Sequence, residues 1–146
     1  MTKGSYEDAQ LILQLYELRR EEKLRAARAW FATQFFPESI DDIKALLSPG
    51  NPNETFFRMV VSYWDMAASF VTKGPLSADL LLESSGEMCL VWSRLEKFIL
   101  ELREMVSLPE YLRNIEAVMN QVEWAPQRVQ WLQERSAMMR KQAAKK

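Results

Sequence analysis

The stretch from Asn53 to Lys73 constrains the fold of this 146-residue chain more than any other. Wound as an α-helix, it is apolar on two broad sides, and Gly74-Pro75 stops it. The two sides carry Phe56, Met59, Val60, Tyr63, Ala67 and Phe70, and Phe57, Val61, Trp64, Ala68 and Val71. A helix that is apolar over most of its circumference must be buried by neighbours on several sides. We therefore predict that this is the central helix of the fold.

A second long helix is predicted from Glu87 to Val106, where apolar residues are spaced alternately three and four positions apart. This seam consists of Met88, Val91, Leu95, Phe98, Leu102 and Met105. Such spacing is typical of helices that pack in bundles. The opposite face is predicted to be solvated, and it carries Arg94, Glu96, Lys97, Glu101, Arg103 and Glu104.

The first helix is predicted to run without interruption from about residue 6 to residue 35. Ser5 and Asp8 form a capping-box pattern at its start, and Pro37 follows its end. Roughly thirty residues that rise ~1.5 Å each make a rod of ~45 Å, which is long for a chain of this size. Its middle, residues 19–23, is charged on all sides. We therefore expect one end to pack on the core and the other to reach towards a second subunit.

The remaining signals also indicate helices. Ser107 to Glu110 is predicted to start a further helix, since serine, proline and glutamate occupy its cap, first-turn and N3 positions. Helix formers dominate, and no alternating strand pattern is found. We predict one all-α domain over residues 1–146, a mostly antiparallel bundle of five to seven helices with Asn53–Lys73 and Glu87–Val106 at its core. The tail, about residues 142–146, is expected to be frayed or disordered.

The residue types that most enzymes and metal sites use are scarce. The chain has no histidine, so it lacks the commonest general base and the commonest transition-metal ligand. Its single cysteine, Cys89, has apolar neighbours, which make a thiol unreactive. Glu101 and Glu104 lie one turn apart, but opposite the apolar seam. The sequence therefore predicts no catalytic residue, no metal site and no cofactor.

One acid, Asp65, interrupts the central helix beside Trp64. A buried carboxylate needs partners or a raised pKa, which is a property of functional acids. If Asp65 lines a pocket, the candidate ligand-binding residues are Asp65, Tyr63, Arg58 and Arg103. The alternative is that Asp65 lies on a narrow polar strip with Ser62 and Ser69, where it is paired or faces water.

Charge and targeting signals argue against several classes of protein. The formal net charge is −1, so no overall field would attract nucleic acid. The first helix has a basic cluster, but adjacent glutamates neutralise most of it, which disfavours nucleic-acid binding. The N-terminus has no apolar signal segment, and the longest nearly apolar run, Met59 to Val71, is too short to span a bilayer. The expected location is the cytoplasm.

A series of short motifs follows Asp65 along the chain and consists of Trp64-Asp65, Lys73-Gly74, Leu80-Leu81, Trp92 and Arg103. In these motifs the chain resembles a bacterial family of helical domains of unknown function. The resemblance covers about Phe56 to Val122. It implies a helical fold and no particular activity, since the family has none assigned.

Two functions are compatible with these observations. The first is a non-enzymatic protein-interaction or regulatory module that binds a protein partner or a second copy of itself. It is suggested by the partly apolar first helix, which would leave apolar surface exposed in a monomer. The second is a small-ligand-binding or enzymatic domain that uses a pocket near Asp65.

Overall fold

The computed structural model describes residues 4–145, and all regular structure in that range is helical. The helices are α1 (Tyr6–Arg19), α2 (Glu22–Gln34), α3 (Ile40–Leu46), α4 (Glu54–Thr72), α5 (Ala78–Ser84), α6 (Glu87–Leu95), α7 (Ile99–Met105), α8 (Arg113–Gln121) and α9 (Ala125–Ala144). A 3-10 turn, Glu96–Phe98, joins α6 to α7. The all-α, single-domain prediction is confirmed. More helical segments are seen than predicted, because two of the predicted helices are interrupted.

The central position of α4 follows from its sequence. Its buried side chains include Phe57, Trp64, Ala67 and Ala68, which lie on more than one side of the helix. α2 and α8 make the most extensive contacts with it, and α6 also contacts it. Helix α4 is therefore covered on several sides, as its nearly continuous apolar surface requires.

Neighbouring helices do not all run in opposite directions. Helices α2 and α4 are antiparallel. The ring of Trp30 lies near Phe56, whereas Arg28, earlier in α2, donates to the same Glu87 carboxylate as Trp64, later in α4. Helices α6 and α9 run in the same direction. Residue 93 contacts residue 133, and Arg94 contacts Ser136 further along both helices. The first pair is antiparallel and the second is parallel, within a bundle that is predicted to be mostly and not wholly antiparallel.

The predicted continuous helix over residues 6–35 is wrong, since the chain turns at Arg20 and Glu21 between α1 and α2. Glu21 leaves helical geometry (φ −58°, ψ 138°), and its carboxylate accepts a 2.8 Å hydrogen bond from the Leu24 amide. It thus acts as the N-cap of a new helix. The guanidinium of Arg28 secures the corner by donating to the Arg19 carbonyl at 3.3 Å.

The predicted solvated position of Arg94 is also wrong. Its guanidinium is buried and donates to the carbonyl oxygens of Phe31, Ala32 and Phe35 at the end of α2. Nε of Arg94 also donates to the Ser136 hydroxyl at 3.2 Å. The last carbonyls of a helix have no partner within that helix, so a buried cation placed there satisfies them and complements the helix dipole.

The junction at Ser107 ends a helix instead of starting one. Ser107 takes a left-handed conformation (φ 59°), and the amides of Ser107 and Leu108 bond back to the carbonyls of Glu104 and Arg103. This is a Schellman motif, which closes α7. Helix α8 begins later, at Arg113. At the other end of the chain, α9 continues through Ala144, so residues 142–144 of the predicted frayed tail are helical, and Lys146 lies outside the described range.

Within residues 4–145, no helix combines the length and apolar content that a bilayer crossing needs. The Ser5 capping box that predicted the start of α1 is confirmed, with hydrogen bonds of 3.0 and 3.1 Å between Ser5 and Asp8.

Candidate functional site

An open groove of about 1050 Å³ runs along the exposed side of α4, and we call it the α4 groove. One wall is the C-terminal end of α3, and the other is the segment from Met105 to Leu112. Its floor is apolar, since it includes the buried side chains of Phe57 and Val61. Charged groups at its edges are Lys44, Arg58, Asp65 and Glu110.

Asp65 lies in this groove, half-buried, and both of its carboxylate oxygens have partners. Oδ1 accepts from the Ile115 amide at 3.2 Å, and Oδ2 accepts from Nδ2 of Asn114 at 3.2 Å. Asn114 is held in turn by the Thr72 hydroxyl, which donates to its side-chain oxygen at 2.6 Å. The residue at the N-cap position of α8 is Leu112, whose side chain cannot accept a hydrogen bond. Asp65 therefore caps α8 from a different helix.

The other three residues proposed with Asp65 do not form one cluster with it. Arg58 lines the α4 groove, but its guanidinium is largely exposed and pairs with Glu54 at 2.7 Å. Tyr63 is on another side of α4, where its hydroxyl donates to the Leu15 carbonyl. Arg103 is behind the groove wall and donates to the Tyr111 carbonyl at 2.8 Å and to Glu116 at 3.0 Å. The structure thus places two of the four proposed residues in the groove.

The groove wall from Met105 to Leu112 has unusual backbone geometry. Ser107 and Leu112 both have φ of 59°, a left-handed conformation that costs an L-residue free energy. Burial raises the pKa of Tyr111, which lies between them, to about 12, and the nearby Asp65 carboxylate adds to the rise. Tyr111 is therefore neutral at ordinary pH and acts as a packing group of the wall.

The chemistry available to the groove is limited. Burial raises the pKa of the Cys89 thiol to about 11, so this thiol is protonated and inert at neutral pH. In the described range, no three acidic or thiol side chains gather in a way that could hold a metal ion. Both carboxylate oxygens of Asp65 accept hydrogen bonds from α8. The groove is shaped for an apolar or amphiphilic group. The hydroxyls of Ser62 and Ser69, which line it beside Asp65, donate to the main-chain carbonyls of Arg58 and Met66.

A partly buried polar cluster that the sequence did not predict lies on the other side of α4. Oε2 of Glu87 accepts from Nε of Arg28 and from the Trp64 indole, both at 2.8 Å. The guanidinium of Arg19 lies 5.3 Å from the centre of the Trp64 ring. The cluster joins α1, α2, α4 and α6. Glu87 has the sequence signal of an ordinary first-turn acid, so only the tertiary structure reveals this role.

Helix α1 exposes large apolar side chains. Tyr6, Leu13 and Tyr16 are 73%, 68% and 55% exposed, and Ala9 is exposed between them. These four residues follow one face of the helix, and we call them the α1 seam. The face that α1 buries is a different one and contains Leu15, Asp8 and Arg19. The α1 seam is therefore turned away from the core, although the Tyr16 ring has a cation–π contact with Arg19 at 5.1 Å.

Comparison with known families identifies the domain. Residues 5–124 match the model of DUF4760, a domain of unknown function. The chain belongs to the DUF4760 family. This confirms the predicted membership of a family of helical domains of unknown function, over a longer range than predicted. The DUF4760 match includes α1 to α8, whereas α9 follows it. No curated protein and no solved structure matches the chain.

Proposed function

We propose that this DUF4760 domain is a non-enzymatic protein-interaction module of the cytoplasm, and that its binding surface is the α1 seam. The observation that carries the proposal is the exposure of Tyr6, Leu13 and Tyr16 on one face of one helix. Soluble proteins commonly expose single apolar side chains, but a contiguous row of large ones marks an interaction site. Tyrosine is also one of the residue types enriched in the centres of protein interfaces.

The seam is a better candidate than the exposed apolar side chains of α9. Helix α9 exposes Trp131 and Met138, but it lies outside the range matched by the family. Helix α1 lies within that range, so the seam belongs to the part of the chain that defines the family. The arrangement around Asp65 also favours interaction over catalysis, since its carboxylate is engaged in holding α8.

Thiol labelling tests whether the seam is covered in the cell. Ala9→Cys places a small reactive group in the seam, and Leu100→Cys places one at a leucine that is 74% exposed on α7. The native Cys89 is buried and protonated, so it contributes little background. The two variants should react with N-ethylmaleimide at similar rates when purified and dilute.

In intact cells that express the gene from its own promoter, we expect Ala9→Cys to be labelled more slowly than Leu100→Cys, in proportion to the fraction of the seam that a bound partner covers. Labelling of Leu100→Cys in the same cells should be limited only by the entry of N-ethylmaleimide into the cell. Equal labelling of both variants in cells would show that nothing covers the seam, and the proposal would be wrong.

A second candidate function is the binding of an amphiphilic small molecule in the α4 groove. It is supported by the groove volume of about 1050 Å³ and by the position of Arg58 at its edge. The anionic fluorophore 1-anilinonaphthalene-8-sulfonate is a suitable probe, since it combines an apolar body with a charge. Met66→Glu should abolish its fluorescence enhancement, whereas Met138→Glu, outside the groove, should not. Equal fluorescence with both variants would exclude the groove.

A further inference from the structure

We infer that the partner of the α1 seam is a second copy of this chain, bound through an antiparallel pair of α1 helices. The inference rests on the proposed function, because it names the protein that covers the proposed surface. It is argued from the spacing of the seam, the sizes of its side chains and the position of Arg20.

The seam has the spacing of a helix-pairing face. Tyr6, Ala9, Leu13 and Tyr16 are separated by three, four and three positions, and Arg20 follows after four more. Alternating steps of three and four keep successive side chains on one narrow stripe, which matches a partner helix better than a flat or strand-like surface. An α-helical occupant is therefore the one that the geometry fits.

The side-chain sizes make the seam complementary to itself in one orientation. In an antiparallel pair centred near residue 11, Leu13 of each copy faces Ala9 of the other, and Tyr6 faces Tyr16. Each layer then combines a large and a small side chain or two aromatic rings, as close packing requires. A parallel pair would place Ala9 against Ala9 and Leu13 against Leu13, which leaves a void in the first of these layers, whereas both orientations contain two tyrosine layers.

Charge favours the same orientation. Arg20 continues the stripe beyond Tyr16. Its side chain is 66% exposed, and among residues 4–145 its partner is an exposed glutamate, Glu17, at 3.4 Å. A parallel pair would bring the two Arg20 guanidinium groups into one layer, where like charges repel. An antiparallel pair places them at opposite ends. The dipoles of antiparallel helices are also favourably arranged.

The surface available is that of a reversible dimer. Since one large aromatic side chain buries about 150–250 Å², pairing two seams of this exposure removes on the order of 900 Å² in total. This approaches the low end of specific interfaces, about 1,200 Å². We therefore expect a dissociation constant in the micromolar range.

Sedimentation of the purified full chain from about 1 μM to about 500 μM should show a monomer–dimer equilibrium. Leu13→Glu removes the central apolar contact from both copies and should raise the dissociation constant by about 100-fold or more. Leu100→Glu makes the same change at an equally exposed leucine outside the seam and should leave the equilibrium as in the wild type. Circular dichroism should show that both variants are folded.

Two engineered cysteines test the orientation without relying on Leu13→Glu. In the antiparallel pair, the two copies of position 10 lie within about 3 Å of each other along the helix axis. The two copies of position 17 lie about 18 Å apart along it. Oxidation should therefore cross-link Gln10→Cys into a dimer and leave Glu17→Cys as a monomer. In a parallel pair the two variants would cross-link alike, which would contradict the inference.

A wild type that stays monomeric over the whole range, or equal dissociation by both glutamate variants, would overturn the inference. Neither result decides the proposed function. If Ala9→Cys is protected in cells although the purified chain is monomeric, the seam binds a different protein and only self-association is wrong. If Ala9→Cys is unprotected in cells, the proposed function fails as well.

Discussion

Replacing Asp65 with alanine removes the carboxylate that joins α4 to the start of α8. In the structure, Oδ1 and Oδ2 each accept one hydrogen bond of 3.2 Å, from the Ile115 amide and from Asn114. The Ile115 amide is one of the first amides of α8, which have no partner within the helix. With alanine at position 65, the Leu112 side chain cannot take over the cap.

The magnitude follows from these two bonds and from the helix dipole. Loss of a helix cap costs about 1 kcal/mol, and a charge near the helix N-terminus contributes about 0.3–1 kcal/mol more. Including the bond from Asn114, we expect Asp65→Ala to lower the free energy of unfolding by about 2 kcal/mol. Asp65→Asn keeps an acceptor for Ile115, but it loses the charge and turns an amide donor towards Nδ2 of Asn114, so it should cost about 1.5 kcal/mol.

Urea unfolding of the wild type and of both variants measures these differences. The matched control is Asp41→Ala, which removes an exposed acid from the first turn of α3 and should cost less than about 0.5 kcal/mol. If Asp65→Ala costs no more than Asp41→Ala, the cap between α4 and α8 does not contribute as described. Asp65 would then be free for a role in the α4 groove.

Three other positions give independent predictions. Arg94→Met should lower the free energy of unfolding by about 3 kcal/mol, since it strips buried carbonyls of α2 of their donor; a urea-measured loss below about 1 kcal/mol would contradict this. Ser107→Gly should raise the free energy of unfolding by about 0.5–1 kcal/mol, because glycine accepts the φ of 59° without strain. A lower urea midpoint for this variant would refute the reasoning. The pKa of Tyr111 is about 12 in the folded state against 10.0 unfolded, so the folded state holds this proton more tightly. The protonated Tyr111 hydroxyl therefore contributes fully to the free energy of unfolding below pH 10, and this contribution is lost as pH rises towards 12. Urea unfolding between these pH values should show a smaller loss of stability for Tyr111→Phe than for the wild type.

The central position of α4 could be predicted because the spacing of apolar residues within one segment indicates which faces of a helix are buried. Phe57 and Trp64 lie on different sides of the helix, and both are fully buried. The break between α1 and α2 could not be predicted, since neither proline nor glycine marks it. Glu21 caps α2 with a side chain that, in sequence, looks like any helical glutamate.

The role of a charged residue depends on distant parts of the chain, which local patterns do not contain. Arg94 occupies a polar position of its own helix and was therefore predicted to be solvated. Its partners are the carbonyls of Phe31, Ala32 and Phe35, about sixty residues away in sequence. Asp65 was found because it interrupts an apolar helix, but the pattern cannot show that the partner is the Ile115 amide.

Three polar side chains that lie wholly or partly inside the fold have structural partners there. Asp65 holds the start of α8, Arg94 holds the end of α2, and Glu87 joins Arg28 to Trp64. Charged groups that satisfy helix ends and buried donors are needed for stability whatever the protein binds. Leu13, at the centre of the α1 seam, is the opposite case, since an exposed leucine lowers solubility and contributes nothing to the core. The proposed contact outside the monomer would account for such a row, so we expect substitutions in the α1 seam to affect function without lowering stability.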